Sequence, residues 1–434
     1  MKKILFILYT CCILLFPVSA QQIPSFKAND RIVFLGNSIT EGGHYHSYIW
    51  LYYMTHFPEL PLRIYNGGIG GDCASHMVFR FDSDIKIKKP TYLVCSFGMN
   101  DSGYDGYNKP GYDKYANKQV EYANTEFGKL QQQILADKKI KNVVLLGSSP
   151  YDENVKLEGV ETLHGKNETI KRIIEMQAEV AQKRGWGFVN FNTVMCELNK
   201  EIQQSDSTAT FCGGDRIHPD KDGHMVMAYL FLKAQGLAGK EVAYFHINAT
   251  NRKAMEERNC RITHIKNEND TISFSYLSRS LPFPVDTIPR WGTKGTARDA
   301  VRQVPFMQEM NQEIMKVTDL HGNFRVTIDG TEIGRWDGNE LSKGINLAEI
   351  TCTPQYQQSL SIMYLNEERC AIEKRLRQYM AMQYVFFKHR GLLFADNKAA
   401  LDAAKAERES HYLVKYLYCL LYTSPSPRDT ERSR

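Results

Sequence analysis

The chain is predicted to fold as a three-layer α/β/α sandwich on a mainly parallel sheet, with a smaller β-rich and helical extension towards its C-terminus. Three observations predict this class. Short apolar runs alternate with longer amphipathic ones from Arg31 to about Gly236, glycine-bearing turns fall at the carboxyl ends of the runs, and the pattern changes beyond Ala238. Strands alternating with crossover helices give a parallel sheet covered on both faces, and its chemistry collects where the strands end. With 434 residues, of which 43% are hydrophobic and 24% charged, the chain can bury a large core.

The first element reads as an export signal over residues 1–20. Lys2 and Lys3 precede an apolar stretch from Ile4 to Pro17, and Val18-Ser19-Ala20 supplies a small-residue cleavage site before Gln21. Tyr9 and Thr10 interrupt the run, which is short against the about 20 apolar residues of a membrane span. Cys11 and Cys12 lack the small preceding residues that lipoprotein processing prefers. The expectation is an exported protein, periplasmic or extracellular, with no stable membrane span after cleavage.

Residues 21–238 carry the sandwich. The runs "RIVFLG", "LRIYNG", "YLVCSFG", "NVVLLGSS" and "GFVNF" have the continuous apolar character of strands buried on both faces. Between and after them, His46 to Phe57, Lys118 to Asp137, Asn167 to Lys183 and Gly223 to Gln235 place apolar residues three and four apart, which predicts helices. Residues 239–418 form the extension. "RITHIKNENDTISFSYL" and "FRVTIDGTEIGRWDG" alternate as strands do, the second around an Asp329-Gly330 turn, and helices are expected over Pro354 to His389 and Asn397 to Tyr418. The segment 419–434, "CLLYTSPSPRDTERSR", has no periodic apolar face and resembles an in-frame translation of a sequencing adapter, so the native chain is expected to stop near Tyr418.

Setting the two terminal segments aside lowers the formal charge from +5 to +2, which gives no electrostatic case for a nucleic-acid partner. Seven of the ten cysteines remain, an odd number without CxxC spacing, so the fold is not expected to depend on disulfides. Oligomeric state leaves no mark in the sequence.

Four loop motifs stand out together: "GNSIT" with Ser38, "NGGIGGD" with Gly71, "GMND" with Asn100 and "DRIHP" with Asp215 and His218. Each alone has an ordinary reading as a turn. The first three follow successive strands and should meet at one sheet edge. A serine hydroxyl is a poor nucleophile until a base within hydrogen-bond reach removes its proton and a third group orients the base. His218 can be that base, and Asp215, three residues earlier, can hold its other ring nitrogen. The backbone N–H groups of Ser38 and Gly71 with the Asn100 side-chain amide can serve as an oxyanion hole.

In these four blocks and their order the chain resembles the SGNH (GDSL) hydrolases, from about Arg31 to Gln235. The resemblance implies a flavodoxin-like core with Ser38 as nucleophile, Gly71 and Asn100 as oxyanion donors, His218 as base and Asp215 as its orienter. Asn37 stands where the family usually has Asp, which should change loop support and leave the chemistry. Thr40 replaces the second glycine of a G-x-S-x-G elbow, which disfavours an ordinary α/β-hydrolase. The implied activity is a serine esterase working through an acyl-enzyme on a small-molecule or polysaccharide ester, with an O-acetyl group on a carbohydrate favoured and no cofactor or metal required. A lipid or small-molecule esterase and a non-catalytic carbohydrate-binding protein on a hydrolase core are the alternatives; the presence of all five site residues favours catalysis.

Other candidates read as structural. His44, His46 and His76 lack metal-ligand spacing, and "NGGIGGD" fits neither phosphate-loop fingerprint. Asp72 and Asp101 read as loop-bracing carboxylates, with a second catalytic acid as the alternative. Tyr45, Tyr104 and Trp50 could line a sugar-stacking groove but are favoured as plain core or rim aromatics.

Overall fold

The computed structural model describes residues 22–269, 271–289, 293–395 and 397–419. The expected leader and all of the final segment except Cys419 lie outside the described residues.

Five parallel strands, β1 (Arg31–Gly36), β2 (Arg63–Gly68), β3 (Tyr92–Phe97), β4 (Asn142–Gly147) and β5 (Gly187–Asn190), pair in the order β2-β1-β3-β4-β5. The chain runs to one side of β1 to make β2 and to the other to make β3, so the carboxyl end of β1 is the switch point at which a crevice opens. Successive side chains feed opposite layers. Ile32, Phe34, Tyr92, Val94, Val144 and Leu146 face one apolar cluster, and Val33, Leu35, Leu93, Cys95, Val143 and Leu145 face the other.

Helices α1 (Ser38–Gly42), α2 (His44–His56), α3 (Ala74–Arg80), α4 (Tyr112–Ala136), α5 (Lys166–Arg184), α6 (Phe191–Ile202) and α7 (Lys221–Ala234) surround the sheet. α2, α6 and α7 supply the first cluster, α3 and α4 the second, and α5 divides between them. The four helices expected from periodicity are α2, α4, α5 and α7. α1 and α3 escaped because five and seven residues are too few to display a period, and both hang directly on motif loops.

Beyond Ala238 lies a mixed sheet in the order β13-β10-β6-β7, made by β6 (Ala243–Asn248), β7 (Lys253–Arg258), β10 (Glu313–Thr318) and β13 (Ile345–Asn346). Two hairpins flank it: β8 (Cys260–Glu268) with β9 (Thr271–Ser278), and β11 (Asn323–Ile328) with β12 (Thr331–Asp337). Asp329 and Gly330 turn the second hairpin at φ 48° and 82°, the positive pair of a type I′ turn. Three short helices, α8 (Ala297–Ala300), α9 (Phe306–Met310) and α10 (Gly338–Lys343), connect these strands.

The chain's pattern changes near Ala238, but its packing continues. Phe283, Ala297, Ala300, Phe306 and Met310 join the apolar cluster of α2 and α7. The long helix α11 (Pro354–Ala381), capped by Thr353 with Pro at its first turn, returns to the sandwich, where Asn366 bonds the Ser47 carbonyl and hydroxyl. The single helix expected over 397–418 is instead two, α12 (Lys398–Ala406) and α13 (Tyr412–Leu417). At the break Glu407 is held by a fork from Arg390, and His411 stacks on Tyr412 and packs edge-on against Phe386.

Candidate active site

Ser38 opens α1 at the end of β1. Asn37 caps this helix, its Oδ1 accepting the Ile39 N–H at 3.0 Å, so the asparagine supports the loop from a wholly buried position. The His218 ring reaches Ser38 from the loop between α6 and α7, with Ser38 Oγ 2.7 Å from Nε2. Its Nδ1 lies 2.5 Å from Asp215 Oδ2, while Asp215 Oδ1 accepts the backbone N–H groups of Ile217 and His218 at 3.0 and 2.9 Å. Burial pushes the Asp215 carboxyl up, but its hydrogen bonds with His218 and the histidine's charge outweigh this and hold it below its ordinary value. It therefore stays ionised, orients the ring and fixes its proton on Nδ1, leaving Nε2 as the acceptor for the serine proton.

The loop needs its backbone irregularities. Gly213 sits at φ 73°, and a Cβ there would lie 1.9 Å from the His218 carbonyl oxygen. Arg216 also has positive φ, at 70°, and is held there by guanidinium bonds to the carbonyls of Asp152, Val155 and Val160.

The other wall carries Gly71 and Asn100. Asp72 N–H closes a turn onto the Ile69 carbonyl at 3.2 Å, and Gly71, third in that turn, has φ 81°. A Cβ on Gly71 would meet nothing within 4 Å, so the glycine is required by its left-handed backbone and not by crowding. Asn100 Nδ2 donates to the Asp72 carbonyl at 3.0 Å, and Tyr104 donates its hydroxyl proton to Asn100 Oδ1 at 2.7 Å. A carbonyl can only accept, so this pair of contacts fixes the orientation of the amide and leaves its second N–H for another acceptor.

Asp72 and Asp101 brace these loops. Asp101 accepts the N–H groups of Ala74 and Gly98 at 2.7 and 2.8 Å, tying the two loops together. Asp72 receives Arg80 Nε at 2.6 Å; Arg80, 1% exposed, also bonds the carbonyls of Gly36 and Gly67 and reaches Asp84 at 2.6 Å. Arg377 of α11 forks onto the same Asp84 at 2.8 and 2.7 Å and donates to the Gly68 carbonyl. Although burial opposes it, the charge of Arg377, with Lys88 and Arg80, holds the Asp84 carboxyl well below the usual range. Glu41, three residues after the serine, accepts the Gly70 N–H at 2.5 Å; burial raises its carboxyl above the ordinary value.

The remaining candidates separate. Tyr45 is buried, stacked on His224 and bonded to Thr40, so it lines no groove. Trp50 is partly covered by the Arg369 guanidinium, 4.2 Å above its ring. His46 is buried against Phe34, whereas the His76 side chain is 62% exposed and its Nδ1 faces the Cys73 N–H. The residues that sequence reasoning missed are Arg80, Arg377 and Lys166. Lys166 left one signal, a lysine at the first position of an amphipathic helix, where the helix dipole disfavours a cation. It is fully buried, donates to the Met99 and Gly103 carbonyls and the Ser102 hydroxyl, and burial lowers its ammonium to about 7 against the nearby charge of Asp101.

Known proteins resemble this chain in both its N-terminal and its C-terminal parts. Residues 34–226 match the model of the GDSL-like lipase/acylhydrolase family, and residues 360–423 match that of a diltiazem deacetylase C-terminal helical domain. The solved structure of BT4096, a gut microbial diltiazem-metabolizing enzyme, is 47% identical, with 95% of this chain and 93% of that chain covered and a TM-score of 0.92. An acetylxylan esterase of Geobacillus stearothermophilus is 22% identical over 224 residues, 48% of this chain and 95% of that protein. Taken with the serine, imidazole and carboxylate in line at the switch point, the match over nearly the whole chain means that this protein belongs to the GDSL-like (SGNH) lipase/acylhydrolase family and is a serine ester hydrolase.

Proposed function

We propose that the protein removes O-acetyl groups, with Ser38 as nucleophile, His218 as general base and acid, Asp215 as the orienting carboxylate, and Ser38 N–H, Gly71 N–H and Asn100 Nδ2–H as the oxyanion donors. The observation that carries the reading is the continuous relay of 2.7 and 2.5 Å from Ser38 through His218 to Asp215. Ser38 Oγ attacks the ester carbonyl as His218 Nε2 takes its proton, and Asp215 stabilises the imidazolium. The tetrahedral oxyanion is held by the three donors until it collapses, when the alcohol leaves with the proton from His218. A water deprotonated by His218 then attacks the acetyl-enzyme. Acetate departs as Ser38 Oγ recovers its proton.

Acetyl is favoured as the acyl group because a deacetylase domain and an acetylxylan esterase both stand among the similar proteins. For the alcohol we infer a carbohydrate, in keeping with the expected export signal and the acetylxylan esterase. A second reading, a small drug-like acetate, is favoured by the near full-length similarity to the diltiazem-metabolizing enzyme. The test is acetate release from p-nitrophenyl acetate, acetylated xylan and diltiazem by the protein and by Ser38→Ala. Saturable release from one natural substrate, lost in the variant, supports the reading; equal rates for both proteins overturn it. Export, the remaining part of the proposal, predicts a secreted chain beginning at Gln21 by intact mass.

A further inference from the structure

The interior of the Asn100 wall contains a buried cation that the relay does not use. Lys166 Nζ donates to the Met99 carbonyl at 2.9 Å, the Ser102 hydroxyl at 2.6 Å and the Gly103 carbonyl at 2.6 Å. Its three N–H bonds are thereby spent on the loop on both sides of Asn100. The same ammonium lies 3.8 Å from the centroid of the Tyr104 ring, with the rings of Tyr107 and Tyr151 farther off at 5.7 and 6.0 Å. Tyr104 in turn donates to Asn100 Oδ1 at 2.7 Å.

Three donated hydrogen bonds need the three N–H groups of an ammonium, and in that form the lysine over the phenol ring draws electron density from it and makes the hydroxyl a stronger donor. A stronger bond into Oδ1 pulls electron density through the amide and makes the Nδ2–H groups better donors. One of those N–H groups is committed to the Asp72 carbonyl, so the gain is available to whatever the other one meets.

We propose that Tyr104, backed by Lys166, is a positioning residue for the esterase reaction: it fixes the Asn100 amide in its donating orientation and polarises it towards the oxyanion. This rests on the reading of Asn100 as an oxyanion donor. Without Tyr104 the amide loses the partner that holds its oxygen away from the cleft, and it can turn or donate less strongly when charge develops. The effect belongs to the transition state, so it should appear in kcat and leave KM nearly unchanged.

The experiment is a double-mutant cycle of Asn100→Ala, Tyr104→Phe and the double variant on p-nitrophenyl acetate, with thermal melts and active-site titration of each. Tyr104→Phe keeps the ring over Lys166 and removes only the hydroxyl. The expected results are a fall in kcat of about 10²–10³-fold for Asn100→Ala, about 10-fold for Tyr104→Phe with KM within about twofold, and a double variant no slower than Asn100→Ala alone. A purely structural tyrosine would lower the titrated active fraction or multiply its loss with that of Asn100→Ala. Either result overturns the proposal, as does a Tyr104→Phe kcat equal to that of the parent. If Asn100→Ala itself leaves kcat unchanged, the oxyanion reading falls first and takes this inference with it.

Discussion

The two walls of the cleft are built differently. The wall holding Gly71 and Asn100 is anchored in buried charge, with Arg80, Asp84 and Arg377 each at most 3% exposed and linked through carbonyls to the ends of β1 and β2. The opposite wall is a half-open loop in which the His218 and Asp215 side chains are 40% and 49% exposed. Oxyanion donors gain their effect by being fixed before charge appears, and a rigid buried scaffold provides that. In the proposed reaction the imidazole takes and releases protons and admits water, which a solvent-facing loop allows. Substitutions in the buried brace behind Gly71 and Asn100 should therefore be read mainly in stability, and those on the exposed loop mainly in turnover.

The largest expected effect concerns the relay. Ser38→Ala and His218→Ala should each lower kcat by at least about 10⁴-fold with melting curves close to the parent, measured on p-nitrophenyl acetate. Asp215→Asn should cost about 10²–10⁴-fold, because an amide can hold the wrong tautomer of the ring. A stability loss comparable to that of the buried wall would break the contrast.

On the buried wall, Arg377→Met should destabilise the protein by about 3–5 kcal/mol in urea titrations, because it leaves Asp84 with fewer partners in a dry interior. The sign with pH follows from the depressed carboxyl. Its contribution is present above the ordinary aspartate range and is lost as pH falls through the lower folded value, so Arg377→Met should unfold in acid at a higher pH than the parent. Arg377→Lys keeps the charge without the fork and should fall between.

The smallest expected effect sharpens the comparison on the exposed wall. Arg216→Ala removes the anchor to the 152–160 loop and should lower kcat about tenfold, with a stability loss of about 1–2 kcal/mol. Equal damage to stability from Arg216→Ala and Arg377→Met would show that the walls are not distinct.

How much of this was legible follows the same division. The five strands could be read because burial on both faces makes them continuous apolar runs. That Ser38, Asp215 and His218 meet could be read because the proposed chemistry needs particular residue types in short loops. The brace could not be read from pattern, since Arg377 reaches Gly68 across 309 residues and nothing local marks an arginine as buried. Asn366, bonded to Ser47, is hidden in the same way. Tyr104 stood in view beside Asn100, but its role depends on Lys166, 62 positions along the chain and brought beneath its ring by α5.

The most direct test of the central claim is covalent. An alkyl fluorophosphonate should add once to the parent chain, with peptide mass spectrometry locating the adduct on Ser38, and should fail to add at a comparable rate to Ser38→Ala or His218→Ala. An adduct on a different residue, or labelling of His218→Ala as fast as the parent, would contradict a serine activated by this histidine.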